Sequence, residues 1–155
     1  MSEFRVEKRR EAAELTLVTG ATLSGVFFLG GASNLRTGAE RVGDVMNLES
    51  GFFPFATGAE TMLVNRAHVL KVALSPQVIE AELDAGYDVA RRRTVRVLLT
   101  TGETVTGNVV VFRPPGHDRL SDYAQVDDKF RYLELEDRTL LINSSHIVAL
   151  TEVAN

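Results

Sequence analysis

Histidine, asparagine, aspartate and arginine recur in this chain at spacings that could do chemistry. Asn65-Arg66-Ala67-His68 and Asn143-Ser144-Ser145-His146 each set an asparagine three residues before a histidine, and Asp44 and Asp122 stand 24 residues before those histidines. An imidazole beside a carboxylate can work as an acid–base pair or begin a metal site. A catalytic zinc, however, takes about three protein ligands, and each motif brings only one histidine. The chain has no cysteine, which removes thiolate ligands, disulfides and a cysteine nucleophile. The reading is therefore structural. Each imidazole of His68 and His146 is expected to bond a backbone carbonyl or the nearby aspartate and fix the joint. Asn65 and Asn143 suit a turn, because asparagine tolerates left-handed backbone and its amide replaces a backbone partner. Asp44 and Asp122 are expected to cap short helical turns. No catalytic residue, metal ligand or cofactor is assigned.

Two basic clusters, Lys8-Arg9-Arg10 and Arg91-Arg92-Arg93, could instead contact phosphate. With Asn65, Arg66 and Asn143 they make up the candidate nucleic-acid contacts. Glu7, Glu11 and Glu14 dilute the first cluster, and no aromatic residues are interleaved for base stacking. The formal charge of −4 is not that of a nucleic-acid coat. Gly30-Gly31-Ala32-Ser33 lacks the Lys-Ser/Thr of a phosphate loop, and no serine lies in a hydrolase order. The clusters read as solvated element ends.

The elements that carry these residues are duplicated. Leu15–Leu29 (LTLVTGATLSGVFFL) and Val97–Val111 (VLLTTGETVTGNVVV) match 82 residues apart, with Gly20 on Gly102 and Gly25 on Gly107. RVGDVMNLESGF from Arg41 and TMLVNRAHVLKV from Thr61 match RLSDYAQVDDKF and TLLINSSHIVAL 78 residues later. Three blocks in one order, with a single length change, indicate two copies of one small domain. Each copy is rich in Val, Leu, Thr and Phe. Thr19-Gly20-Ala21 and Thr101-Gly102-Glu103 read as hairpin turns, while Gly25 and Gly107 mark bends in a long apolar strand.

Loops of unequal length follow, the second containing Pro114-Pro115-Gly116. Between the copies, Ser75 and Pro76 open a partly helical linker that Gly86 stops. RVEKRREAAE sits in the corresponding place before copy one. The predicted organisation is a first barrel with its lead-in over 1–74, a linker over 75–94 and a second barrel over 95–155. The fold class is mainly β: two tandem five-strand barrels with short lead-in helices.

Five bent strands with the pattern hydrophobic-x-Leu-x-x-Gly-x-x-hydrophobic-x-Gly resemble the SH3-like barrel, and more particularly the Sm-like fold. The Asn-x-x-His joints fall where that family has a polar turn between its last two strands. The chain is also similar to small bacterial proteins of uncharacterised function with duplicated Asn-x-x-His-hydrophobic elements. The Sm-like resemblance implies assembly by strand joining across subunits. The closing strands Val69–Leu74 and Ile147–Val153 carry few charges and no proline, so both are expected to be poorly defended edges. The functional expectation is a non-enzymatic assembly or protein-interaction module that forms a homo-oligomer, with a protein partner as a further candidate. The alternative is an RNA- or DNA-binding protein using local basic patches. No apolar run reaches the roughly 18 residues of a membrane helix, and MSEFRVEKRREAAE does not read as a signal peptide. The expected location is cytoplasmic.

Overall fold

The computed structural model describes residues 8–33, 38–48, 51–111 and 120–153. They form two compact units, residues 1–72 and 73–155. In the first, β1 (Arg9–Leu17), β2 (Thr22–Leu29), β3 (Phe52–Ala56), β4 (Thr61–Asn65) and β5 (Val69–Leu74) lie in the order β5-β1-β2-β3-β4. Strand β5 crosses the boundary between the units. A short helix α1 (Val42–Met46) separates β2 from β3. In the second unit, β6 (Arg91–Leu99), β7 (Thr104–Val111), β8 (Phe130–Glu134), β9 (Thr139–Asn143) and β10 (Ile147–Glu152) lie in the order β10-β6-β7-β8-β9. Helix α2 (Leu120–Ala124) precedes β8.

The fold is mainly β, but it does not contain closed barrels. Among the described residues no pairing returns β4 to β5 or β9 to β10. The bend explains part of this. Strand β2 meets β3 only at Val26↔Ala56 and Phe27↔Phe55, and β7 meets β8 only at Asn108↔Glu134. The strands beyond the bend have five residues each. At about 3.3 Å per residue, such strands offer a short reach.

Both hairpins form as their turn glycines require. Leu17 N–H donates to Ala21 O at 2.8 Å around Gly20, whose φ is +93°. Leu99 N–H donates to Glu103 O at 2.9 Å around Gly102, φ +90°. At the bends a side chain has no room. A Cβ on Gly25 would lie 2.1 Å from Ala56 O, and one on Gly107 would lie 2.8 Å from Glu134 O.

The lead-in segments differ from expectation. Arg9–Glu14 belongs to β1, not to a helix, because Ala12 and Ala13 pair with Val26 and Gly25. Tertiary pairing overrides the helical preference of RREAAE. The remaining lead-in residues Arg5, Val6 and Glu7 lie outside the described residues. Likewise Arg91–Thr94 opens β6, so the linking segment ends at Ala90. That segment holds two 3-10 turns, Glu80–Leu83 and Tyr87–Val89, with Gly86 at φ +85° between them, and Pro76 lies in a turn before them. Helix α1 begins at Val42, so Asp44 is not its N-cap. Its carboxylate accepts the Arg41 N–H at 2.8 Å from the third helical position. Asp122 falls third in α2. The proline loop at residues 114–116 lies outside the described residues.

The first core is aromatic. Phe27 stacks on Phe53 with centroids 5.3 Å apart and meets Phe55 edge-on at 5.3 Å, beside buried Leu15, Leu29 and Met46. The second core is aliphatic: Val95, Val97 and Leu99 alternate along β6 as buried residues, and Val109, Leu133 and Leu141 are buried as well. Burial of this apolar surface drives the fold.

Candidate interaction edges

The two asparagine joints are built alike. Asn65 Oδ1 accepts the Ala67 N–H at 3.0 Å and Asn143 Oδ1 accepts the Ser145 N–H at 3.0 Å, each opening a 3-10 turn, Arg66–His68 and Ser144–His146. The histidine carbonyls lock these turns to the first hairpins. Val18 N–H donates to His68 O at 2.9 Å, and Thr100 N–H donates to His146 O at 2.9 Å. His146 Nδ1 lies 2.8 Å from Thr100 Oγ1, whereas His68 is exposed. Valine 18 stands where Thr100 does and has no hydroxyl to offer.

The arginines are committed within each unit. Arg66 is 8% exposed, donates from Nε to Val45 O at 2.8 Å and from Nη1 to Phe52 O at 3.2 Å, and stacks over Phe53. Burial pulls its guanidinium below the ordinary value. Arg92 stacks over Tyr87 at 4.6 Å and pairs with Glu134 at 3.2 Å, while Arg93 meets Glu152 at 3.4 Å. Tyr87 donates its hydroxyl to the other Glu134 oxygen at 2.6 Å. Loss of solvent and the bond to Glu134 raise this phenol above its usual range. Arg9 donates to Glu40 O at 2.9 Å, and Arg10 lies over Phe28 at 5.5 Å. Lys8 and Arg91 are exposed. Of the candidate phosphate contacts, Lys8, Arg9, Arg10, Asn65 and Arg66 belong to the first unit, and Arg91, Arg92, Arg93 and Asn143 to the second. Asn143 is buried.

The exposed surface is apolar at two strands. Among the described residues β4 ends the strand order of the first unit, paired with β3, and β10 ends that of the second, paired with β6. Leu63 on β4 is 70% exposed, Phe52 on the neighbouring β3 is 61% exposed, and Val148 on β10 is 60% exposed. At the matched positions of the other copy, Leu141, Phe130 and Leu70 are buried. Strand β5, expected to be an open edge, ends the first unit's order beside β1, and its Val69, Leu70, Val72 and Leu74 are buried. The unit's exposed large apolar side chains lie at the other end of the order, at Phe52 and Leu63. Neither β4 nor β10 contains proline, and only Glu152 on β10 is charged. Nothing in β4 marked it in the sequence, because TMLVN and TLLIN are almost interchangeable in type.

Among the described residues no group of three or more histidine, cysteine, aspartate or glutamate side chains could hold a metal. No helix there is long and apolar enough to cross a membrane. Compared with known proteins, the chain matches no family model, no curated protein and no solved structure.

Proposed function

We propose that this chain is a non-enzymatic assembly module, built of two Sm-like domains, that self-associates when β4 of one copy pairs with β10 of another. The carrying observation is the contrast between matched positions. Leu63 is 70% exposed where Leu141 is buried, and Val148 is 60% exposed where Leu70 is buried. Residue types that one copy keeps in a core, the other leaves in water. Exposed apolar side chains beside unpaired N–H and C=O groups invite strand addition. Because β4 and β10 differ, the contact is head-to-tail, and it closes into a ring or continues as a fibre.

Light scattering coupled to gel filtration tests this across micromolar concentrations. The expected result is a species larger than 17.0 kDa that Leu63→Lys or Val148→Lys each reduces to the monomer. A 17.0 kDa parent at every concentration overturns the reading.

A further inference from the structure

A cavity of about 330 Å³ opens in the second unit, between the linking segment, the end of β7, the residues around α2 and strand β8. Ala81, Val110, Val111 and Val126 give it apolar walls, and Tyr123 and Tyr132 add aromatic ones. Tyr132 is held in place by donating its hydroxyl to Glu80 Oε1 at 2.7 Å. The charged groups at the cavity are Asp84, Asp128 and Arg131.

Arg131 has its donors engaged elsewhere. Its Nε donates to Ser144 Oγ at 2.9 Å, Nη1 to Tyr123 O at 2.9 Å, and Nη2 to Ala124 O at 3.3 Å and to Val126 O. An arriving anion would compete with these bonds and meet two carboxylates. A bare metal ion would find two carboxylates among apolar walls, too few oxygen ligands for a hard cation. Two carboxylates against one guanidinium leave the lining with an excess of negative charge. Tyrosine rings attract cations through their faces, more strongly where water is excluded; Arg131 already lies over the ring of Tyr123 at 5.0 Å, which leaves Tyr132 as the aromatic partner for a ligand. The volume is at the small end of ligand cavities.

We propose that this cavity binds a small organic cation, an alkylated ammonium whose apolar substituents meet the valines and whose charge lies between Tyr132 and the carboxylates of Asp84 and Asp128. The assignment is independent of the assembly through β4 and β10.

Choline chloride and its uncharged isostere 3,3-dimethylbutan-1-ol test it on the intact protein by amide NMR. Choline is expected to give saturable shifts at Val110, Val126 and Tyr132. The alcohol and the Asp84→Asn/Asp128→Asn variant are each expected to bind roughly three- to tenfold more weakly, as loss of a partly exposed charge contact implies. If the variant fails to fold, the comparison of choline with the alcohol on the parent decides. Equal affinity for both compounds, shifts elsewhere in the chain, or no saturable shift overturns the proposal.

Discussion

Arg66 Nε donates to the carbonyl oxygen of Val45 at 2.8 Å across 21 residues of chain. In the second unit the matched carbonyl, that of Tyr123, is also held by a guanidinium, but from Arg131 on β8. The alignment sets Arg66 against Ser144 and Phe53 against Arg131. One cation has moved from the joint to the strand while its acceptor stayed, and Ser144 now accepts from it. The short helix before the third strand thus ends on an arginine in both units.

Arg66→Ala leaves two carbonyls without this donor and is expected to lower stability by about 1–3 kcal/mol. Phe53→Arg alone places a charge in the aromatic core and costs more. Combined with Arg66→Ser it reproduces the arrangement of the second unit, so the double variant should recover part of that loss. Denaturant melts of the three variants read this coupling.

Gly25→Ala is expected to be the more damaging of the two bend substitutions. The new Cβ would lie 2.1 Å from Ala56 O, against 2.8 Å from Glu134 O for Gly107→Ala. Both obstacles are backbone, so β2 must part from β3 and β7 from β8. Overpacking typically costs about 1–3 kcal/mol, and Gly25→Ala should reach or pass the upper figure in urea unfolding.

His146→Ala and Thr100→Val each remove one side of a 2.8 Å contact. Their effects should be less than additive when combined. His68→Ala, at an exposed position opposite Val18, should melt like the parent. Asn65→Ala and Asn143→Ala each lose a turn-opening acceptor, worth about 1 kcal/mol.

Glu134→Gln is expected to bring the Tyr87 phenolate in at lower pH. In the folded chain the phenol is raised, first by loss of solvent and then by its bond to Glu134. A raised phenol supports the fold fully below the unfolded value, about 10, and that support is lost as pH rises through the folded value. The variant narrows this window without closing it, because the desolvation remains. Phenolate absorbance compared with Tyr87→Phe isolates the residue from Tyr123 and Tyr132.

The hairpin turns at Gly20 and Gly102 and the bends at Gly25 and Gly107 were legible in sequence, because each is a local demand of backbone on one residue. The start of β1 was not. RREAAE favours helix locally, and only its pairing with β2 makes it a strand. The shared arginine clamp was illegible for a different reason, since its two mismatches cancel only in space. The exposure of Leu63 on β4 was illegible because it is set by neighbours, and TMLVN carries no trace of which neighbours it has.

The two cores absorb light differently. The chain has no tryptophan, and Tyr87, Tyr123 and Tyr132 all lie in the second unit, while the stacked Phe27, Phe53 and Phe55 lie in the first. Tyrosine circular dichroism in the near ultraviolet therefore reports on one unit, and the fine structure of the phenylalanine stack reports chiefly on the other. The unlabelled protein carries its own pair of probes, and their melting curves would separate wherever the halves come apart in sequence rather than together.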